Sequence, residues 1–273
     1  MLNTRDLLKK YNIRLDKNKS QNYLVDNNKL EKILANADIK KDEVILEIGA
    51  GIGTLSVPMA KKAKKVIAIE KDPVIADILR QIIVKEKIDN IQVINDDALK
   101  MDFPYFDKVV SNLPYQISSP VTFKLLEYKF KKAVLMYQLE FARRMNAKYD
   151  TKEYSRLSVA LYFRCDVKII DTLKPECFIP QPKVDSAVIE LIPKEDVTLN
   201  KYFDDTIRAL FQHRNKKAKK ALIQSAHEIN MDKKELKEKL DNIENPLLDK
   251  KVFKLTPEEI LELSEIIGDF YGI

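Results

Sequence analysis

The sequence lacks the residues and runs that mark several protein classes. It has no Trp, two Cys and two His among 273 residues. Cys165 and Cys177 are too few for a disulfide framework, and together with His213 and His227 they lack the spacing of zinc ligands. No apolar run approaches the roughly 18 residues that cross a bilayer, and the N-terminus has no apolar signal-peptide core. We therefore expect a globular, cytoplasmic protein without a membrane segment or a metal site.

Length and net charge give weaker indications about domain number and binding partners. The chain is longer than a typical domain of roughly 100 to 200 residues, so one large domain with a small appendage is expected. Its 48 Lys and Arg against 42 Asp and Glu give a net charge of +6, which weakly favours an anionic partner.

Short β-branched runs alternate with helical patterns between residues 42 and 191. This alternation predicts an α/β fold, a mostly parallel sheet with helices on both faces, whose ligand sites lie beyond the carboxyl ends of the strands. Beyond Pro193 the pattern is amphipathic and helical, so we predict domains at 1–196 and 197–273, the second small and all-helical. Strands are predicted at VILEI, KVIAIE, IQVIN and DKVVSN, and also at 132–137, 158–163 and 186–192.

Three of the five glycines stand in ILEIGAGIGTLS, directly after a predicted strand and before a predicted helix. These residues, Gly49, Gly51 and Gly53, let the backbone approach a ligand closely. A dinucleotide-binding loop has the pattern G-x-G-x-x-G, whereas Thr54 occupies the position of the third glycine here. With Glu47 in front of it, the loop is instead typical of methyltransferases.

Two carboxylates follow the next two predicted strands. Glu70 ends KVIAIE, where it can accept hydrogen bonds from both ribose hydroxyls of a nucleoside cofactor. Asp97 follows IQVIN, where it can reach an adenine amine. The glycine loop alone would be equally consistent with an ordinary turn. Three such sites after three successive strands favour a nucleoside-containing cofactor.

The fourth predicted strand leads into Asn112, Leu113, Pro114 and Tyr115. An amine conjugated to a heteroaromatic ring is a poor nucleophile, so its methylation needs acceptors that hold its N–H groups. The Asn112 side-chain carbonyl and the Leu113 backbone carbonyl can supply them, because Pro114 restricts Leu113 to an extended conformation. Tyr115 can stack on the base, which is worth roughly 1–3 kcal/mol. Such a tetrapeptide is often only a turn, but its position after the glycine loop favours catalysis.

Together these motifs closely resemble the ribosomal RNA adenine dimethyltransferases that modify small-subunit rRNA, in particular the archaeal and eukaryotic members. The resemblance covers nearly the whole chain and adds the motifs SQNYL at 20–24, YQLEFARRM at 137–145 and FIPQPKVDSAVIEL at 178–191. It implies a class I methyltransferase, Rossmann-like fold with a seven-stranded sheet, and S-adenosylmethionine as the cofactor. It also implies dimethylation of two adjacent adenosines near the 3′ end of small-subunit rRNA, in an immature subunit, by a monomeric enzyme that contributes to ribosome biogenesis.

The resemblance also implies roles for individual residues. The N-terminal segment 1–28 would close over the cofactor, and Asn112 would lie between the cofactor and the target amine. Phe178 would sandwich the target base opposite Tyr115, an arrangement that suits a flipped or unpaired base. The cofactor would be bound by Gln21, Asn22, Leu24, Gly49, Gly51, Gly53, Glu70, Lys71, Asp97, Ala98 and Asn112.

The sequence departs from the family pattern at a few positions. Many relatives carry Phe where Tyr23 stands, Asn where Gln116 stands and Gly where Asp96 stands. None of these differences removes a predicted catalytic group. We assign the Tyr23 ring to core or cofactor packing.

Basic residues cluster in FQHRNKKAKKAL, which on a helix would spread positive charge over more than one face. Such a surface fits phosphate contacts, although charge runs are more often solvated faces. Arg143 could extend the surface or pair with Glu140 at helical spacing. The residues predicted to contact RNA are Arg143, Arg144, Lys148, Lys183, Arg214, Lys216, Lys217, Lys219 and Lys220.

Two other functions remain open from the residues. One is methylation of adenine in DNA by a similar Asn-Pro-Pro-Tyr chemistry, against which Leu113 and the helical tail argue. The other is a non-catalytic role in ribosome assembly or transcription, which the intact Glu70, Asp97 and Asn112 disfavour.

Overall fold

The structure, a computed structural model, describes residues 4–13, 22–195 and 197–271. The described part of the chain forms two compact units. The first comprises described residues of 1–142 together with 167–193, and the second those of 143–166 together with 194–273.

A seven-stranded sheet forms the centre of the first unit. Its strands are β2 (Val44–Ile48), β3 (Lys65–Ile69), β4 (Ile91–Ile94), β5 (Lys108–Asn112), β6 (Lys132–Gln138), β7 (Cys165–Leu173) and β9 (Ser186–Pro193). Their order is β4-β3-β2-β5-β6-β9-β7. The strands from β4 to β6 pair in parallel, and β9 runs antiparallel to β6. The predicted α/β fold with a mostly parallel seven-stranded sheet is therefore confirmed.

Two short strands that the sequence analysis did not predict form a separate ribbon. They are β1 (Tyr23–Leu24) and β8 (Phe178–Ile179), which pair antiparallel with Leu24 opposite Phe178. The helices of the first unit are α1 (Thr4–Lys10), α2 (Asn27–Ala37), α3 (Ser56–Ala60), α4 (Pro73–Lys85), α5 (Ser118–Leu125) and most of α6 (Leu139–Met145).

Helix α4 illustrates how the local sequence builds these layers. The Asp72 side chain accepts hydrogen bonds from the backbone N–H groups of the first turn, and Pro73 occupies that turn, where its missing N–H does no harm. Ile75, Leu79 and Ile82 recur at helical spacing and are all buried. The helix therefore starts directly after β3 and covers the sheet with one apolar face.

The predicted strand at 158–163 is wrong, because these residues belong to α7 (Arg156–Arg164). The side chains of Ser155 and Ser158 form a reciprocal capping box that satisfies the first N–H groups of this helix. The run from Leu157 to Leu161 is buried on every residue, which suits a core helix as well as a buried strand. The edge strand β7 starts only at Cys165.

The second unit is helical over its described residues from 197 onwards, apart from an isolated bridge between Lys217 and Lys251. The predicted boundary between residues 196 and 197 is incomplete, because 143–166 also belong to this unit. Aromatic contacts explain the difference: Tyr154 packs against Phe211, with ring centroids 5.5 Å apart. Its further helices are α8 (Phe203–Phe211), α9 (Ala218–Gln224), α10 (Lys233–Asp241) and α11 (Pro257–Asp269). Among the described residues, no helix combines the length and the apolar character needed to cross a membrane.

A buried ion pair lies at the amino-terminal end of the parallel strands, opposite the cavity end of the sheet. Lys108 begins β5, and its Nζ atom lies 2.9 Å from Glu43 Oε2. The same ammonium donates to the carbonyl oxygens of Ala37 and Asp38 at the C-terminal end of α2, at 3.2 and 2.6 Å. A cation is favourable there because it meets the negative end of the helix dipole. Lys108 therefore ties α2 to the amino-terminal end of the central strand β5.

We expect Lys108→Met to lower the free energy of unfolding by about 3 kcal/mol, because Glu43 would lose its closest cation while its carboxylate stays buried. Lys40→Met is the matched control, since the ion pair of Lys40 with Asp38 is exposed and should matter little. Urea unfolding of both variants measures the difference. Equal losses would contradict a stabilising role for the buried pair.

Candidate active site

A cavity of about 470 Å³ opens at the carboxyl ends of β2, β3, β4 and β5. Every predicted strand end that carries a candidate residue contributes to it, as expected for a parallel sheet. The lining residues include Asn22, Tyr23, Leu24, Glu47, Gly49, Gly51, Thr54, Glu70, Lys71, Asp72, Asp96, Asp97, Ala98, Asn112, Leu113, Pro114, Gln116 and Ile117.

The glycine loop is held against the end of β3 and against the tetrapeptide. The N–H groups of Gly49 and Ala50 both donate to the Ile69 carbonyl, at 2.8 and 3.0 Å. Gly49 has a φ of +73°, and a Cβ atom on it would lie 2.9 Å from Pro114 Cδ. A side chain there would therefore be strained and would also displace the proline.

The other two glycines of the loop have different neighbours. A Cβ atom on Gly51 would lie 3.0 Å from Cε1 of Tyr23, whose ring also lines the cavity. A Cβ atom on Gly53 would lie 2.6 Å from Leu79 Cδ1, and Gly53 does not line the cavity. The structure thus gives Gly53 a packing role against α4 in place of the predicted cofactor contact.

Glu70 is buried at the cavity wall, 8% exposed, and its two carboxylate oxygens hold two backbone groups. Oε2 accepts from the Gly51 N–H and Oε1 from the Asp72 N–H, each at 2.9 Å. Burial raises the pKa of Glu70, and these two backbone N–H groups oppose the rise. Each oxygen keeps a lone pair, so the carboxylate can accept further hydrogen bonds from a ligand hydroxyl.

Asp97 is fixed by a backbone group and a lysine. Its Oδ1 atom accepts from the Leu99 N–H at 3.0 Å, and its Oδ2 atom lies 3.0 Å from Lys71 Nζ. These two contacts, the backbone one first, lower the pKa of Asp97, so the group is an ionised acceptor at neutral pH. Lys71, predicted to bind the cofactor itself, lines the cavity and pairs with Asp97.

The Asn112 side chain is oriented by the N-terminal segment. Its Nδ2 atom donates to the backbone carbonyl of Asn22 at 2.7 Å. An amide that donates through nitrogen on one side presents its carbonyl oxygen on the other, so Oδ1 is left as an acceptor. Asn22 and Leu24 line the cavity as predicted, whereas Gln21 lies outside the described residues.

Tyr115 is held by its hydroxyl, and neither Tyr115 nor Phe178 lines the cavity. The Tyr115 hydroxyl lies 2.6 Å from Ser186 Oγ, within hydrogen-bonding distance. The Phe178 side chain is fully buried in a core cluster with Leu24 and Val188, and it does not line the cavity. Pairing of β8 with β1 directs this ring into the core, so the predicted stacking of Phe178 on a base is corrected.

Sequence reasoning missed several residues of the cavity wall. Asp96, which the sequence marks only as a departure from the family pattern, lines the cavity, and so does Tyr23, for which core or cofactor packing was predicted. Ile117, at the end of the turn that follows Pro114, was not considered. Tyr23 carried a usable signal, since it lies between two residues that were assigned to the cofactor.

Most of the predicted basic cluster is engaged within the protein. Arg214, Lys216 and Lys217 precede α9 and do not form the predicted helical surface. Arg214 donates to the carbonyl oxygens of Lys152 and Thr151, at 2.7 and 3.0 Å. Its guanidinium therefore joins two loops of the second unit and is not a free phosphate ligand.

Three lysines of this cluster have polar partners within the protein. Lys217 Nζ lies 2.8 Å from Asp249 Oδ1, and Lys219 Nζ lies 2.8 Å from Asp241 Oδ1. Lys216 donates to the Gln224 side chain. The exposed members of the predicted RNA-binding set are Arg143, Arg144, Lys148, Lys183, Lys217 and Lys220.

The described residues contain no group of three or more His, Cys, Asp and Glu side chains that could hold a metal ion. Cys165 and Cys177 are both free thiols.

Comparison with known proteins identifies the family of this chain. The sequence model of the ribosomal RNA adenine dimethylase family matches residues 12–268. Relatives include the probable ribosomal RNA small subunit methyltransferase A of Methanosphaera stadtmanae, 73% identical over 98% of each chain. That of Methanothermobacter thermautotrophicus is 53% identical over 98% of this chain and 97% of its own.

Solved structures agree with the sequence comparison. A dimethyladenosine transferase from Plasmodium falciparum is 33% identical, with a TM-score of 0.75 over 88% of this chain and 95% of its own. The 23S rRNA methyltransferase ErmE is 26% identical, with a TM-score of 0.64 over 90% of this chain and 100% of its own.

The sheet order and the glycine-loop cavity define a class I methyltransferase. The chain belongs to the ribosomal RNA adenine dimethylase family and is therefore an rRNA adenine dimethyltransferase, as the sequence motifs predicted. Membership of this family implies the use of S-adenosylmethionine.

One further carboxyl group at the cavity has an unusual environment. Glu47 is 2% exposed, and the Ser56 hydroxyl donates to its Oε2 atom. Burial, with the nearby Glu70 charge adding to it, raises the pKa of Glu47 from 4.5 to about 8. Glu47 is therefore largely protonated at neutral pH and does not add a full negative charge to the cavity.

We expect this group to make the protein less stable as the pH rises from about 4.5 to about 8. In this range the unfolded chain releases the Glu47 proton while the folded chain retains it, so stability falls by up to about 1.4 kcal/mol per pH unit. Glu47→Gln removes the titration, and the Gln carbonyl can still accept from Ser56. Urea unfolding across the range should show the variant gaining stability relative to the parent as pH rises. A pH-independent difference would contradict the assignment.

Proposed function

We propose that this enzyme transfers methyl groups from S-adenosylmethionine to the exocyclic amines of two adjacent adenosines near the 3′ end of small-subunit rRNA. The immature small ribosomal subunit is the proposed substrate particle, and the enzyme acts as a cytoplasmic monomer that contributes to ribosome biogenesis. The observation that carries the proposal is the orientation of Asn112, whose amide nitrogen is engaged by Asn22 at the cavity and whose carbonyl oxygen remains an acceptor.

The residues around the cavity fit this cofactor. The loop at Gly49 and Gly51 brings backbone to the cavity, where a Cβ atom would meet Pro114 or Tyr23. Glu70 retains lone pairs for the ribose hydroxyls, and Asp97 is an ionised acceptor for the adenine amine.

The tetrapeptide supplies acceptors for the target amine. When bound, the cofactor would supply an electrophilic methyl group on a positively charged sulfur, so no strong base is needed to start the reaction, and the methylated nitrogen would lose its proton to water after the transfer. Asn112 Oδ1 and the Leu113 carbonyl accept hydrogen bonds from the two N–H groups, which draws the nitrogen lone pair out of conjugation. The rest of the rate comes from holding amine and methyl donor in line.

Rigidity of these acceptors follows from the contacts around them. The Leu113 side chain is 1% exposed, and the Pro114 ring lies against Gly49. The Tyr115 ring is tethered through its hydroxyl to Ser186 and offers one stacking surface for the base. With Phe178 buried, base binding relies on this one ring more than the predicted sandwich would.

RNA contacts are proposed for the exposed cations of each unit. In the second unit, Arg143 and Arg144 are exposed on α6, and Lys148 is exposed in the loop that follows. In the first unit, Lys183 is exposed in the loop before β9. Exposed cations contribute to RNA binding by releasing counterions from phosphates, whereas an arginine committed to carbonyl oxygens, such as Arg214, contributes less.

We expect Asn112→Ala to lower kcat by at least about a hundredfold, because the amine loses a side-chain acceptor and its nitrogen stays conjugated. Binding of S-adenosylmethionine should change much less than kcat. The measurement is transfer of labelled methyl groups to immature small subunits, with cofactor binding followed by calorimetry.

Asn90→Ala is the matched control for this variant. Asn90 is also a half-buried amide of the first unit, but it donates to the carbonyls of Ala60 and Ala63 and does not line the cavity. This control should retain kcat. Full activity of Asn112→Ala would refute the mechanism, and preferential methylation of duplex DNA in competition would refute the RNA assignment.

We expect the double variant Arg143→Gln with Arg144→Gln to weaken RNA binding and to reduce the salt dependence of the binding constant. Each lost phosphate contact should lower the slope of log K against log salt by about 0.7 to 0.9. The control is Lys234→Gln with Lys237→Gln, which removes the same charge from the exposed face of α10. Equal effects of the two double variants would argue against a specific role for Arg143 and Arg144.

A further inference from the structure

The loop at 95–103 follows β4 and contributes residues to the cavity wall. At its start, Asn95 Nδ2 donates to the backbone carbonyl of Glu70 at 2.8 Å. At its end, the Phe103 N–H donates to the Tyr128 hydroxyl at 3.0 Å. These contacts hold the two ends of the loop, and the turn between them needs a support of its own.

That support is a lysine ammonium bound to the backbone of the turn. The N–H groups of Lys100 and Met101 both donate to the Asp97 carbonyl, at 2.8 and 3.2 Å, and form one helical turn. Lys124 Nζ donates to the Ala98 carbonyl at 2.9 Å and also to the Met101 carbonyl. A cation is favourable there, because carbonyl oxygens that leave a helical turn carry partial negative charge.

Lys124 comes from the helix that continues the tetrapeptide. Helix α5 starts at Ser118, directly after the turn Tyr115–Ile117, and Lys124 is half-buried in its last turn. The ammonium also lies 4.6 Å from the centroid of the Phe103 ring, a favourable distance for a cation–π contact. Lys124 therefore connects the segment that carries the tetrapeptide to the loop after β4.

The turn that Lys124 holds also fixes the Asp97 carboxylate. Ala98, whose carbonyl accepts from Lys124, directly follows Asp97. Asp97 Oδ1 accepts from the N–H of Leu99 within the same turn, at 3.0 Å. The carboxylate lines the cavity and is 18% exposed, so a ligand can reach it. A shift of the turn would move this acceptor, while Glu70 at the end of β3 would keep its place.

We propose that Lys124 is a positioning residue for adenine recognition, whose ammonium holds the turn so that Asp97 accepts a hydrogen bond from the adenine amine of the cofactor. The inference rests on the proposed function, in which Asp97 accepts from this amine. Lys124 itself does not line the cavity, so it acts through the loop backbone.

Lys124→Met removes the ammonium and keeps an unbranched apolar side chain. Calorimetric titrations would use S-adenosylhomocysteine and S-inosylhomocysteine, which carries an oxygen in place of the adenine amine. The parent should bind the adenine ligand more tightly, because only that ligand offers the amine to Asp97. The variant should lose about three- to tenfold in affinity for S-adenosylhomocysteine and much less for S-inosylhomocysteine, since one hydrogen bond is misplaced. The ratio of the two affinities should therefore fall.

Methyl transfer gives a second measurement on the same variant. Lys124→Met should raise the KM for S-adenosylmethionine by about the same factor. The kcat at saturating cofactor should stay close to that of the parent, because Asn112 and the Leu113 carbonyl are unchanged.

Lys132→Met is the matched control. Lys132 is also a half-buried lysine of the first unit, and it donates to the Asn36 carbonyl at 3.1 Å and to Glu190 at 2.7 Å. It does not line the cavity, so this variant should lose stability and keep the affinity ratio. If Lys124→Met did not fold, Lys124→Gln would replace it, since the shorter amide cannot reach both carbonyls and should also lower the ratio.

Three outcomes would overturn the inference. They are unchanged binding of S-adenosylhomocysteine by the folded variant, equal losses for both ligands, and a fall in kcat without a change in KM. A parent that failed to bind S-adenosylhomocysteine would refute the proposed cofactor. A parent that bound both ligands equally would refute the proposed contact of Asp97 with the amine. The parent thus tests the proposed function, and the variant tests the role of Lys124.

Discussion

Contact between the Pro114 ring and the Gly49 backbone is the constraint on which the rest of the site depends. The loop after β2 and the tetrapeptide after β5 come from strands that are neighbours in the sheet, so their ends meet at one edge. A Cβ atom at Gly49 would be 2.9 Å from the proline ring, which means that the two segments are already in van der Waals contact. One contact therefore sets the spacing between the glycine loop and the tetrapeptide, and the proline transmits it to the Leu113 carbonyl.

A second set of contacts comes from a part of the chain far away in sequence. The carbonyl of Asn22 takes the amide hydrogen of Asn112, and the following residues pair with β8. The N-terminal segment thus orients the Asn112 amide at one point and buries Phe178 at the next. Both effects come from three consecutive residues, 22–24, so a change in this stretch would alter the Asn112 amide and the Phe178 environment together.

The parts of the structure that could be predicted are those encoded locally. Alternating apolar runs predict the parallel sheet, and the rule that ligands bind beyond strand ends brings Gly49, Glu70, Asp97 and Asn112 to one cavity without further information. The run at 158–163 was misassigned because its β-branched and aromatic residues suit a buried strand as well as a helix, and only the Ser155 cap distinguishes them. Pairing of β1 with β8 joins residues more than 150 positions apart, and no local pattern indicates it.

The roles of charged side chains were the least predictable. A sequence shows which residues carry charge, but it does not show which groups of the folded protein pair with them. The cluster from Arg214 to Lys220 reads as a phosphate-binding surface, yet its arginine holds two carbonyl oxygens, and Lys217 and Lys219 face Asp249 and Asp241. The same reasoning applies inside the cavity, where Lys71 is committed to Asp97 and burial makes Glu47 largely protonated. A site that must attract an anionic RNA and bind a positively charged cofactor cannot leave all of its charges unpaired. Pairing within the protein neutralises Lys217 and Lys219 of the basic cluster, whereas Arg143, Arg144 and Lys148 stay exposed.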